Sequence, residues 1–354
     1  MMKIMTVVGT RPELIRLSRI IPLLDKYCDE HIFVHTGQNF DPNLKDIFFK
    51  DLDLRLPDYQ ESCAGDTTFK TISNILQTTE RLILKERPDK LLILGDTNSG
   101  LSAMVAKRYG VKVYHMEAGN RCFNDIVPEE INRRIIDHCT DVWMPYTERS
   151  RQYLLREGVA PDKIFVTGNP IFEVLNHNSV RIRESDILNR LKLCKGEYFL
   201  VTMHRAENVD NSRFMETLCE VFYKFKNIFP IVISVHPHTR KRLSANWNTD
   251  RIILSDPFNF IDFINLEQNA YCVITDSGTV QEECSILGIS HIIIRNTNER
   301  LETVESGNSI ICGHDPKDIA RGVRIAVDSR FKCSEYIAPI VSETVIKIIL
   351  GAYP

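Results

Sequence analysis

Several apolar runs in this chain end on residues that could do chemistry. In HMEAGNRCFNDIVPEEINRR, residues 115–134, the run from Val111 to Met116 leads straight into Glu117, and Glu129 and Glu130 follow, interleaved with Arg121, Arg133 and Arg134. LILGDTNSG ends on Asp96, VVGTRPELIR on Gly9, Arg11, Glu13 and Arg16, VTMHRAEN on His204, Arg205 and Glu207, and VITDSGTVQEE on Asp276, Ser277, Gly278 and Glu283. Acids set among arginines suit proton transfer, where one carboxyl takes a proton and another returns it. The DSGT turn suits an anion. Ser277, Gly278 and Thr279 offer backbone N–H groups at a helix start, and glycine lets a phosphate approach closely. Arg11, Arg16, His204 and Arg300 add positive charge, so the turns together fit a diphosphate held beside acids.

Each feature also has a plainer use. Glycine and serine turns before helices serve as caps, and Glu129 and Glu130 at a helix start complement its dipole. Asp96 could cap NSGLSAMVAK, and Arg133 and Arg134 could form a solvated helix face or pair with nearby acids. His236 and His238 in VHPHTR lack a third ligand at sensible spacing, so no metal is expected. The chemical reading is favoured by concurrence at several separate strand ends.

The elements that would position these turns follow a simple rhythm. Nearly continuous apolar runs (KIMTVVG, HIFVHTG, DKLLILGD, VKVYHME, DVWMPYT) alternate with amphipathic segments such as PELIRLSRIIPLLDKY, DPNLKDIFFKDL and TTFKTISNILQTTERLILKE. Uninterrupted apolar strands belong to parallel sheets covered on both faces. A pause at Gly168-Asn169-Pro170 precedes a second αβ series, EYFLVTMH, FPIVISVH, RIILSDP, YCVITDSG and HIIIRN. The pattern is α/β, two doubly wound Rossmann-like domains over 1–168 and 169–336 whose polar turns face each other across a cleft, with a last helix, 337–354, packing back on the first domain.

Composition bounds the rest. The 354 residues suffice for two cores, and a formal net charge of -3 does not suit a nucleic-acid binder. No run reaches the roughly 20 apolar residues that span a bilayer. The ten cysteines are scattered without a CxxC pair, which fits buried thiols in the cytoplasm. GxxxxGK[ST] and GxGxxG are both absent, so neither a Walker loop nor a bound dinucleotide is expected.

GTRPELIR, HTGQN, LGDTNS, EAGNR, PEEINR, VTGNP, HRAEN, HPHTR, TDSGTVQEE and RNTNER, in this order, resemble the non-hydrolysing UDP-N-acetylglucosamine 2-epimerases over nearly the full chain. The resemblance implies a GT-B-like fold, a UDP-2-acetamido sugar as substrate, no cofactor and a homodimer. It implies Asp96, Glu117 and Glu129 as catalytic carboxylates and His204 as the essential histidine beside the diphosphate. Arg11, Ser277 and Gly278 match phosphate contacts, Glu283 the ribose contact, Phe263 the position beside uracil, and Arg300 lies in the family's ER element. Arg16 stands where many members carry lysine, and HTGQNFD replaces a QHR-type stretch used for allosteric binding in some members. The EAGNRCF…VPEEINRRIIDH stretch looks more like the branch that makes UDP-N-acetyl-L-fucosamine for surface polysaccharide.

The C-2 hydrogen of an acetamido sugar is not next to a carbonyl, so a side-chain base cannot remove it directly. Loosening the C-1–O bond first makes it acidic. Loss of UDP then gives a 2-acetamidoglycal, and re-addition with a proton on the other face gives the epimer. UDP-N-acetylglucosamine is the alternative substrate, and a hydrolysing epimerase or a GT-B glycosyltransferase are the alternative activities.

Overall fold

The computed structural model describes residues 2–38, 49–243, 247, 250–328 and 331–351. Most of the expected helix DPNLKDIFFKDL and the last three residues of the C-terminal segment lie outside them. The chain forms two compact units, 1–175 with 338–354, and 176–337.

The first unit is built on six parallel strands, β1 (Lys3–Val8), β2 (Glu30–His35), β3 (Tyr59–Gln60), β4 (Lys90–Leu94), β5 (Lys112–Met116) and β6 (Val142–Met144), in the order β3-β2-β1-β4-β5-β6. The second repeats the plan with β7 (Phe199–Met203), β8 (Ile231–Val235), β9 (Ile252–Ser255), β10 (Cys272–Thr275), β11 (His291–Ile293) and β12 (Ser309–Ile311), in the order β12-β11-β10-β7-β8-β9. These are two Rossmann-like domains. Their central strands β4, β7 and β10 are buried at every position, because helices cover both faces. In each sheet the order reverses beside the first strand, between β1 and β4 and between β7 and β10. Such switch points open a crevice at the carboxyl ends of the strands.

One element departs from the sequence pattern. NSGLSAMVAKRYG reads as a single helix, but it opens with a 3-10 turn, Asn98–Leu101, before the α-helix Ser102–Arg108. The tight turn brings this segment under the helix Pro128–His138: a Cβ on Gly100 would lie 2.6 Å from Ile136 Cδ1. The helix Val341–Leu350 belongs to the first unit, where Ser342 N–H donates to Glu173 Oε2 at 2.8 Å and the Lys90 amine donates to the Ile349 carbonyl. Among the described residues, no helix is long and apolar enough to cross a membrane.

Candidate active site

At the first switch point one buried carboxylate straps two turns together. Glu13 Oε2 accepts from Gly9 N–H at 3.0 Å and from the Thr10 hydroxyl at 2.7 Å, while Oε1 accepts from the Thr97 hydroxyl at 3.1 Å. The turn carrying Arg11 and the turn carrying Asp96 are thereby fixed to each other. Burial pushes the Glu13 carboxyl up to about 7, against the pull of its hydrogen bonds. A carboxyl raised in the folded state stabilises the fold below its unfolded value and loses that contribution as pH rises through the folded one. The window here runs from 4.5 to about 7. Glu13→Gln, which cannot ionise, is expected to gain about 3 kcal/mol on the parent between about pH 4 and about pH 8 in urea unfolding. An equal effect at both pH values would contradict this.

Glu117 begins where β5 ends, and its φ of 65° lies in the left-handed region. For a residue with a Cβ that costs roughly 1 kcal/mol, and such strain gathers where a side chain must be aimed. Glu117 Oε2 accepts from Arg16 Nη1 at 2.9 Å and Oε1 from Asn120 Nδ2 at 3.2 Å. Arg16 and Glu117 are both buried. Gly95, also left-handed at φ 75°, passes so close that a Cβ there would sit 3.5 Å from Glu117 Oε2. Asp96 is partly exposed and receives Arg133 Nε at 2.8 Å and Nη2 at 2.7 Å on Oδ2. Glu129 lies half-buried in the first turn of the helix Pro128–His138.

Its neighbour Glu130 serves the framework. It is fully buried and accepts the backbone N–H of Cys122 at 2.9 Å and of Phe123 at 3.1 Å, so it holds the loop between Glu117 and Glu129. Its pKa is lowered: burial acts upward, but the Cys122 N–H and the Arg133 charge outweigh it. Arg121 is framework too. It pairs with Asp137 at 2.8 Å and with Glu157 at 2.6 Å, and Asp137 also receives the His115 ring at 2.8 Å and Gly119 N–H at 3.1 Å. The charges of the opening stretch therefore include a buried scaffold of Arg121, Glu130 and Arg133, and two further acids, Glu117 at the end of β5 and Glu129 at the helix start.

The second switch point has the same logic with Asp276 as the strap. Asp276 is fully buried and accepts His204 N–H at 3.1 Å, Arg205 N–H at 3.0 Å and Asn208 Nδ2 at 3.0 Å. The His204 ring is 40% exposed, with Nδ1 3.5 Å from Asp276 Oδ1. Ser277 precedes the helix Gly278–Leu287, and Gly278 is required sterically. A Cβ there would lie 2.4 Å from Arg300 Nη1 and 2.6 Å from its Cζ. Arg300 is held in that place by Glu282 at 2.5 Å and by Glu299, which also pairs with Arg295 at 2.9 Å and lies 3.8 Å from Arg205. Ser277, Gly278, Arg300, Arg205 and His204 thus come from the segments that follow β10, β11 and β7. Glu283 is buried on the helix that follows, and Phe263 packs half-buried on the core from the helix Phe260–Asn269. Among the described residues, no three His, Cys, Asp or Glu side chains are grouped to hold a metal, and the His238 side chain lies outside them.

Sequence reasoning named Glu13, Arg133 and Asp276 but gave none of them a site role. The available signal was spacing: Arg133 follows Glu130 by three residues, one helical turn.

The chain is similar to known proteins over nearly its full length. The family model described as UDP-N-acetylglucosamine 2-epimerase matches residues 24–350. The UDP-N-acetylglucosamine 2-epimerase of Methanocaldococcus jannaschii is 37% identical over 343 residues, 93% of either chain. The crystal structure of the UDP-GlcNAc 2-epimerase of that organism, in complex with UDP-GlcNAc and UDP, superposes with a TM-score of 0.93 at 35% identity, covering 98% of this chain and 99% of that one. The UDP-2,3-diacetamido-2,3-dideoxy-D-glucuronate 2-epimerase of Pseudomonas aeruginosa is 32% identical over 315 residues, 88% of either chain. With a family model over most of its length and a relative 37% identical across 93% of either chain, the protein belongs to the UDP-N-acetylglucosamine 2-epimerase family and is a UDP-sugar 2-epimerase, an isomerase.

Proposed function

We propose that the chain inverts C-2 of UDP-N-acetylglucosamine by eliminating and re-adding UDP. The observation that carries this reading is the division of labour between the switch points. One presents Asp96 and Glu117, each bound to an arginine, and the other presents a glycine turn backed by Arg300 beside His204.

In the first step the C-1–O bond breaks and its electron pair leaves with UDP. Arg11, His204 and the Ser277–Gly278 turn stabilise the charge on the departing diphosphate. A carboxylate takes the C-2 proton, and the C–H electrons close the C-1=C-2 double bond of the 2-acetamidoglycal. In the second step a proton is delivered to C-2 from the other face, and the diphosphate oxygen returns to C-1. Asp96 and Glu117, the acids that follow β4 and β5, are assigned the tasks of taking the proton and facing positive charge at C-1. Glu129 is the third acid of the set. Glu283 would hold the ribose and Phe263 the uracil.

Gly278→Ala tests the diphosphate site. The added methyl must displace an Arg300 guanidinium that two glutamates hold, an overpacking of about 1–3 kcal/mol. UDP affinity is expected to fall about 10- to 100-fold by calorimetry, with uridine affected less. Equal losses for UDP and uridine would count against a phosphate contact there.

The second substrate reading is UDP-2-acetamido-2,6-dideoxy-L-talose, giving UDP-N-acetyl-L-fucosamine. The EAGNRCF…VPEEINRR stretch favours it, with a short loop between Glu117 and Glu129. Parallel kcat/KM measurements on the two sugars decide. A higher value for UDP-N-acetylglucosamine supports the first reading, and a higher value for the talose sugar replaces it.

A further inference from the structure

We propose that Arg133 is a positioning residue for Asp96, so that the carboxylate meets the substrate in one fixed orientation and as an anion. The inference rests on the reading of Asp96 as a reacting carboxylate. Arg133 is 3% exposed and reaches two elements at once. Its Nε donates to Asp96 Oδ2 at 2.8 Å, with Nη2 in ion-pair contact with the same oxygen at 2.7 Å, while Nη1 donates to Glu130 Oε2 at 2.9 Å. Glu130 in turn holds the backbone of Cys122 and Phe123. The next residue back, Asn132, fixes the main chain of the same turn, donating to the Asp96 carbonyl at 3.0 Å and to Asn98 Oδ1 at 3.1 Å.

The planar guanidinium has a definite edge for each partner, which a lysine ammonium does not provide. Asp96 is thereby gripped through its backbone and its side chain by successive residues of one helix. A carboxylate on a strand-end turn has two rotatable bonds, χ1 and χ2, to be fixed, and reacting groups displaced by about 1 Å lose on the order of 100-fold in rate. The titratable groups facing the pair are Glu130 from the same helix and Cys122 from the loop, the latter 3.7 Å from Arg133 Nη1. Thr97, next to Asp96, carries the contact to Glu13.

The test uses the full chain with Arg133→Gln, Arg133→Lys and Asp96→Asn, alone and combined. Turnover is read by UDP-sugar epimerisation, and folding by melting temperature and UDP affinity. Arg133→Gln is expected to lower kcat about 100-fold with KM nearly unchanged, and Arg133→Lys to recover part of that loss. The acid limb of kcat should move up when the counter-charge is removed. In the Asp96→Asn background, Arg133→Gln should cost nothing further, because its effect passes through Asp96. An unmoved acid limb, additive losses, or a common fall in melting temperature and UDP affinity for both Arg133 variants would overturn the proposal. Near-normal turnover of Asp96→Asn would instead overturn the reading of Asp96 on which it rests.

Discussion

Glu117→Gln is expected to lower kcat about a thousandfold while UDP affinity stays near that of the parent, with a fall in melting temperature as the buried Arg16 charge loses this anion. General acid–base groups contribute 10²- to 10⁴-fold, and the amide is nearly isosteric, so the loss isolates the charge and the proton. The backbone argument makes the comparison clean. Both side chains bear the same cost of the left-handed φ at 117, and both can keep the contact to Asn120 Nδ2 through an oxygen. What changes is the partner of Arg16, which loses an anion at 2.9 Å in a buried setting. Near-normal turnover from a folded Glu117→Gln protein would remove Glu117 from the chemistry and leave its strained backbone without a functional account.

The second large effect falls on stability. Asp137→Ala should cost about 3–5 kcal/mol, because removing one member of a buried charge network leaves the others uncompensated. Asp137 is fully enclosed; burial alone would raise its pKa, but the His115 hydrogen bond and the Arg121 charge outweigh it and hold the carboxyl low. Without it, Arg121 keeps Glu157 and the Asn120 carbonyl but loses one of its two carboxylates, and both the His115 ring and Gly119 N–H lose an acceptor. Trp143 is a convenient reporter, since its indole N–H donates to the Asp137 carbonyl at 2.9 Å. Urea unfolding followed by tryptophan fluorescence, in a Trp247→Phe background, reads the first unit by itself. A loss under about 1 kcal/mol would show that the network adds little beyond exposed pairs. Because the same residues carry the backbone from Glu117 to Arg121, activity should fall together with stability, whereas Glu117→Gln should lose activity far beyond its loss of stability.

The contrast between these two variants shows where the sequence was legible. Strands such as KLLIL and FLVTM could be read because parallel strands under two helical layers are almost wholly apolar. Polar residues at their ends therefore stood out, and Asp96, Glu117, His204, Ser277 and Gly278 were all named from that contrast. The pairing of charges was not legible. Glu129 and Glu130 are adjacent and chemically alike, yet one is enclosed and holds a loop. Arg133 could have been a solvated helix residue, but it meets Asp96, 37 positions earlier in the chain. Such pairs are set by which turns the crossover connections bring together at a switch point, and local periodicity does not encode that. The left-handed backbone at Glu117 was equally invisible, because glutamate carries no preference for it.

The measurement that tests the central claim most directly is proton NMR of the purified protein with UDP-N-acetylglucosamine in D2O. Elimination and re-addition predicts an epimeric UDP-sugar carrying deuterium at C-2, with deuterium also entering the recovered starting sugar as the reaction reverses. An epimer that keeps its C-2 hydrogen, or release of UDP with free reducing sugar in place of an epimer, would contradict it.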